Sequence, residues 1–190
     1  YIHEWLTDAR VDLAVLHDAR RSPQLVVNPL AELDLCLVSS PRTLSPVAAQ
    51  QAHVPVRQLG EFSMVLPTRN HGLRRTVERA ASDADVVLDV AYEVDALDLM
   101  KGMVEAGLAH TILARPAVQH EVAAGTLLAR TLTEPRLSTR LLSAFSANRP
   151  LTRAVRLVEQ TLRQILAEMA GEEETMGAVY VLTDDAGSAP

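Results

Sequence analysis

The stretch from Tyr92 to Ala114, YEVDALDLMKGMVEAGLAHTILA, does most to restrict what this chain can become. Val90, Tyr92 and Val94 alternate with polar residues, the period-two pattern of a strand. Asp95 stands where its carboxylate can accept the unpaired N–H groups of a first helical turn. Leu97, Met100, Val104 and Leu108 then follow at helical spacing and predict one apolar stripe. Gly107 falls at the predicted helix end, where glycine takes a left-handed cap at no steric cost. Thr111, Ile112 and Leu113 open another strand. The result is a βαβ unit whose helix N-terminus faces the carboxyl end of a sheet, the edge at which open α/β folds bind small ligands.

Composition narrows the class. The chain has 190 residues, 48% hydrophobic and 22% charged, a globular balance. No apolar run reaches the roughly 20 residues that span a bilayer, so no membrane role is expected. A formal net charge of −6 argues against this polypeptide gripping nucleic acid by itself, since that affinity comes from basic groups neutralising phosphates. The single cysteine, Cys36, lies in an apolar strand-like run (LDLCLV); it excludes an internal disulfide and fits a buried structural thiol in a reducing compartment. Tyr1 opens directly into a helix-like pattern without a starting methionine, so the chain reads as the remainder of a longer protein, and the lack of a leader carries no information.

Elsewhere the pattern alternates between strands and helices. Strands are expected at Val11 to Leu16, Leu25 to Leu30, Leu33 to Val38, Phe62 to Leu66, Val86 to Val94, Leu127 to Leu132 and Leu141 to Ala147. Ser39 to Pro55, punctuated by Pro41, Pro46 and Pro55, reads as a crossing segment. A helix capped by Thr68 or Asn70 should turn Leu73, Val77 and Ala80 or Ala81 inward, and a short helix over Pro116 to Ala124 should stop at Gly125. The most regular helix begins at the candidate cap Thr152, with Val155, Val158, Leu162, Ile165 and Met169 on one face. This alternation predicts an α/β fold with largely parallel sheets.

The ordered segments WLTDARVDLAVL, NPLAELDLCLVS, PTRNHGLRRTVE, YEVDALDLMKGMVEAGLAHTILA, EVAAGTLLA and NRPLTRAV together resemble the effector-binding domain of LysR-type transcriptional regulators, and within it the nitrogen assimilation control branch. The resemblance runs from Tyr1 to about Ala170. It implies a two-lobed fold like type II periplasmic binding proteins, with a small-molecule effector in the cleft between the lobes. It also implies a cytoplasmic protein, homodimers within tetramers, and DNA contact only through an N-terminal winged helix-turn-helix absent from this chain. On this mapping lobe one comprises 1–40 plus 138–170, lobe two 41–137, and 171–190 a mobile acidic tail. Lobe one is then incomplete, lacking its first strand–helix–strand, which would leave sheet edges unpaired. Two departures from the family pattern stand out: Ala109 where a glycine is usual, and Ala114 where a proline is usual.

The candidate effector site uses two helix starts in lobe two: Pro67, Thr68, Arg69, Asn70 and His71 before one helix, and Glu93, Val94 and Asp95 before the other. Unpaired N–H groups and the helix dipole favour an anion there. Thr68 is expected to donate its hydroxyl, and Arg69 or Arg74 to pair a ligand carboxylate. The plainer reading makes Thr68, Asn70 and Asp95 caps and the arginines solvated, with Glu93 free to salt-bridge. His3, His17, His53, His71, His110 and His120 show no metal-ligand spacing, and no nucleophile elbow, phosphate loop or dinucleotide fingerprint occurs. No cofactor and no catalytic group is therefore expected. The leading reading is a sensor of a small anionic or zwitterionic metabolite; a transporter's solute-binding protein shares the fold and is the alternative, and an enzyme comes third.

Overall fold

A computed structural model describes residues 2–18, 22–171 and 179–181. The chain divides into two compact units, one formed by Tyr1–Leu33 with Arg140–Pro190 and the other by Asp34–Thr139. The division falls inside two strands, β2 (Leu25–Ser39) and β8 (Ser138–Ser146), and not at the segment 39–55 read as a crossing. Leu25 to Leu30 and Leu33 to Val38 are thus one strand, which runs through Pro29 without a break. Segment 39–55 holds instead a 3-10 turn at Pro41–Thr43 capped by Ser40, a helix α2 (Pro46–Gln50) capped by Ser45, and β3 (His53–Pro55).

The first unit begins with α1 (Ile2–Thr7) and β1 (Ala14–His17), shorter than the expected strand from Val11. β1 pairs antiparallel with β8, Ala14 opposite Ala144 and His17 opposite Leu141. Leu6, Leu30, Ala31, Leu33, Ala144 and Phe145 are buried in this unit. The long helix α6 (Arg153–Gly171) is capped as expected: Thr152 Oγ1 accepts the Val155 N–H at 3.3 Å. Its inward face, however, is rotated from the apolar stripe. Val158 and Ile165 are 51% and 46% exposed, and Leu166 is the buried residue. The reason is polar: Glu159 turns inward to accept hydrogen bonds from Ser143 Oγ at 2.6 Å and Asn28 Nδ2 at 3.0 Å. The expected mobile tail, 171–190, lies mostly outside the described residues; within it Val179–Val181 form β9, antiparallel to Ala31–Leu33 of β2.

In the second unit the far half of β2 is flanked by β6 (Thr111–Ala114) on one side and β7 (Leu128–Thr133) on the other, both antiparallel to it, and β3 runs parallel to β7. β4 (Ser63–Leu66) and β5 (Asp89–Glu93) pair in parallel, and His110 joins β4 to β6 through a parallel bridge with Met64. The expectation of largely parallel sheets is therefore corrected: antiparallel ladders prevail, because strands joined by long connections return along β2 from both sides. The core of this unit gathers Leu35, Leu37, Val54, Leu59, Met64, Val65, Leu66, Val77, Met100, Val104, Ile112 and Leu132, all sealed from solvent or nearly so.

Two helices pack on that core. α3 (Gly72–Asp83) buries Leu73, Val77, Ala80 and Ala81, the expected face. α4 (Leu97–Glu105) buries Met100 and Val104, whereas Leu97 and Leu108 at the ends of the predicted stripe are 41% and 58% exposed. Gly107 ends α4 at φ +76°: its N–H reaches Val104 O at 2.9 Å and the Leu108 N–H reaches Met103 O at 3.1 Å, the paired bonds of a left-handed helix stop. Gly125 (φ +71°) closes α5 (Gln119–Ala123) in the same way, through Val122 O and Glu121 O.

Candidate functional site

β4 and β5 end level with each other, since the Val94 N–H bonds Leu66 O at 3.0 Å. Pro67, buried, then ends the ladder of β4, having no N–H to give. The turn that follows closes when the His71 N–H bonds Thr68 O at 2.9 Å. His71, and neither Thr68 nor Asn70, caps α3: its Nδ1 accepts the Leu73 N–H at 3.2 Å. That leaves Thr68 free to face the end of β5. Its backbone N–H lies 2.9 Å from Asp95 Oδ1, and its hydroxyl lies 3.0 and 3.1 Å from the two carboxylate oxygens.

The direction of those bonds matters. An ionised carboxylate only accepts, so Thr68 gives Asp95 both its N–H and its O–H. In this arrangement the Thr68 hydroxyl proton is taken up by Asp95, and the oxygen's remaining capacity is that of an acceptor. Asp95 likewise does not cap α4; Ala96 holds that position without a side-chain bond. The carboxylate still sits at the positive end of that helix, where the backbone dipoles favour it.

Arg74 is the second departure. Its side chain is 3% exposed, and it donates from Nε to Glu78 at 2.7 Å and from Nη1 to Pro67 O at 3.0 Å and to Glu93 at 3.3 Å. It is an internal clamp, tying α3 to the ends of both strands, rather than a solvated or ligand-seeking cation. Guanidinium tolerates this interior because its fixed fork of donors finds an acceptor on each edge. Arg69 differs: its side chain is 80% exposed, with Nε 3.9 Å from Glu78. Asn70 supplies a carbonyl to Arg75 Nη1 at 2.6 Å, and Val94 is half-buried. A depression of about 450 Å³ beside α3 is lined by Arg69, Arg74, Glu78, Ser82, Leu88 and Val90.

Of the nine residues singled out from sequence, eight thus fall at or just after two neighbouring strand ends, and Arg74 lies in the first turn of α3. Around them two cations, Arg69 and Arg74, meet the carboxylates of Glu78 and Glu93, while the Asp95 carboxylate is held by Thr68. Such a place can hold an anionic group against Arg69 and the helix starts, and a hydrogen-bond donor against Thr68 Oγ1 and Asp95. Sequence reasoning missed the Thr68–Asp95 pair and the burial of Arg74. Signals for both existed: Thr68 and Asp95 each come two residues after a strand of one parallel pair, and Arg74 has Glu78 one turn on.

Other reactive groups are quiet. No group of three or more His, Cys, Asp or Glu is arranged to hold a metal among the described residues. Burial pushes the Cys36 thiol up from its ordinary range, opposed by the nearby Arg115 charge, so the thiolate is disfavoured, as expected of a structural thiol. Lys101 and Glu121 pair at 2.5 Å between α4 and α5, the bond raising the lysine and lowering the carboxyl from their usual ranges.

Comparison with known proteins places this architecture. The chain is 27% identical over 169 residues to the HTH-type transcriptional regulator BbuR of Bordetella bronchiseptica, covering 87% of this chain and 50% of that protein. It is 25% identical over 179 residues to a protein of Synechococcus elongatus described as a probable nitrogen assimilation transcriptional activator, covering 92% and 57% respectively. The chain thus spans about half the length of the curated relatives it matches. Among solved structures, the effector binding domain of QuiR in complex with shikimate superposes with a TM-score of 0.73 at 16% identity, over 86% of this chain and 76% of that one. Such matches show the mixed α/β fold of LysR effector domains, like that of type II periplasmic binding proteins. The family model of the LysR substrate binding domain matches residues 1–167, and the chain belongs to that family.

Proposed function

We propose that this chain is the sensing part of a LysR-type transcription regulator and that it takes a small zwitterionic or anionic metabolite at the ends of β4 and β5. The observation that carries this reading is the Thr68–Asp95 pair. It fixes two loops side by side, one bringing the exposed Arg69 and the start of α3, the other a carboxylate and the start of α4. An effector with a carboxylate and an amine or hydroxyl satisfies both halves, whereas a simple anion meets the charge of Asp95 unrelieved. QuiR, in its complex with shikimate, supports the same class of ligand for this fold.

Binding of this kind does no chemistry. It acts by preferring one arrangement of the regulator over another. DNA contact then belongs to a winged helix-turn-helix in the intact protein, and assembly to homodimers or tetramers. The transporter alternative loses ground because the sequence relatives are regulators. No helix of the described residues is long and apolar enough to cross a membrane.

Isothermal titration of the protein with single L-amino acids, shikimate and small dicarboxylates tests the reading. Saturable binding is expected for at least one of them, weakened about ten-fold or more in Thr68→Val, the cost of one lost hydrogen bond to a polar ligand group. Equal isotherms for variant and parent contradict the assignment.

A further inference from the structure

Arg130, in the middle of β7, is 3% exposed and has surroundings unlike those of Arg74. One donor, Nη2, reaches Ser39 Oγ at 3.3 Å, and the Phe62 ring lies against the guanidinium with its centroid 5.4 Å from Cζ. Nε is sealed from solvent without a hydrogen-bond partner. No carboxylate pairs with it among the described residues; loss of hydration is what acts on its charge. A guanidinium keeps its proton and carries five donors, so a buried one without counter-charge is costly.

Its neighbours add donors rather than a balancing charge. Ser39 Oγ lies 2.8 Å from His110 Nδ1, and the His110 ring meets Phe62 edge-on with centroids 5.0 Å apart. Burial, with the Arg130 charge beside it, holds the imidazole below its usual range, so His110 is neutral near pH 7. In the tautomer with its proton on Nδ1, His110 donates to Ser39 Oγ, which also accepts from Arg130, and the Ser39 O–H is then available beside the unpartnered Arg130 Nε–H; in the other tautomer Ser39 donates to Nδ1 and Nε–H alone is left.

The place is separate from the proposed effector site. His110 is bonded to the start of β4, through its N–H to Ser63 O at 2.8 Å and its carbonyl to the Val65 N–H at 2.7 Å, whereas Thr68 follows the end of that strand. Arg130 lies opposite Leu37 in the ladder, and Ser39, two residues on, shares that face. Phe62 and His110, which border the pair, are half-buried, whereas Ser39 and Arg130 are buried.

We propose that Arg130, Ser39 and His110 form a second binding site, one that takes a small monovalent anion, either a halide or the carboxylate of a short organic acid. The charge supplies the affinity, the leftover donors the geometry, and the Phe62 wall the limit on size.

The test is the thermal unfolding midpoint of the whole chain at fixed ionic strength, with sodium isethionate, whose anion is bulky, replaced stepwise by sodium chloride in one arm and sodium acetate in the other. A saturable rise is expected in at least one arm, and which arm rises distinguishes halide from carboxylate. Ser39→Ala should raise the half-saturating concentration about ten-fold, and Arg130→Lys, which removes the Nε edge, should abolish saturation. Thr68→Val should leave the effect unchanged, so this outcome is independent of the effector assignment. If Arg130→Lys fails to fold, the Ser39→Ala comparison decides, together with chloride-35 line broadening by the parent protein. A midpoint without saturation in both arms, a rise shared equally by Ser39→Ala, or its loss in Thr68→Val would overturn the proposal.

Discussion

Thr68 and Asp95 illustrate how a hydrogen-bond direction decides what a site can recognise. Because Asp95 takes both donors of Thr68, an effector bound at the proposed site would meet acceptors at this pair, and charge recognition would fall to Arg69. Asp95→Asn should therefore change preference as well as affinity: amino acids should bind about ten-fold more weakly, while simple carboxylates, relieved of a like charge, should gain, as read by paired titrations. Arg74→Met tests the clamp beneath them. Removing a buried cation leaves Glu78 and Glu93 without it, but both carboxylates are more than a third exposed and rehydrate. The loss of stability in urea unfolding should accordingly be about 1–3 kcal/mol, short of the value for a fully buried pair. An unchanged denaturation midpoint would show that Arg74 holds nothing in place.

At the scale of elements, the helix stops were legible in the sequence and the helix faces only partly so. Gly107 and Gly125 both stand at positive φ, where the pattern placed them, because no side-chain contact competes with that backbone requirement. They differ in their surroundings: a Cβ at Gly107 would come 3.1 Å from Thr43 Cγ2, and one at Gly125 would meet nothing within 4 Å. Both alanine variants should cost about 1 kcal/mol from backbone strain, Gly107→Ala more than Gly125→Ala, measured as thermal midpoints. Equal midpoints would show that Thr43 yields freely.

The face of α6 was misread because periodicity counts apolar residues and cannot see that Glu159 finds Asn28, Ser143 and Arg163. Burial raises the pKa of that carboxyl, but the Ser143 and Asn28 hydrogen bonds and the Arg163 charge outweigh it, and the folded value lies below the ordinary one. Its stabilising contribution is thus complete above the ordinary carboxylate range, near pH ~4.3, and is lost as pH falls through the lower folded value. Glu159→Gln should flatten the acid limb of the stability profile in that window. An identical limb would refute the role.

For the whole molecule, the family was readable because six short motifs that resemble it occur in order, and the α/β class because strand and helix patterns alternate. The ladder directions were not readable, since a strand's own residues do not say which neighbour returns beside it; β2 pairs antiparallel with β6, β7, β9 and so gathers segments far apart in sequence. The division near Leu33 and Thr139 lies within continuous strands for the same reason: no turn residue marks it. Of the candidate site, sequence gave the two loops but not their bond to each other, which exists only once β4 and β5 lie in parallel.

The central claim is that those paired loops receive the effector. Amide and side-chain NMR of the isotopically labelled chain, titrated with whichever amino acid or small acid binds in calorimetry, reads this residue by residue. The account predicts saturable shifts at Thr68, Arg69, Asn70 and Asp95, with the Thr68 amide moving as its bond to Asp95 adjusts. Saturable binding that leaves all four resonances unmoved would contradict it.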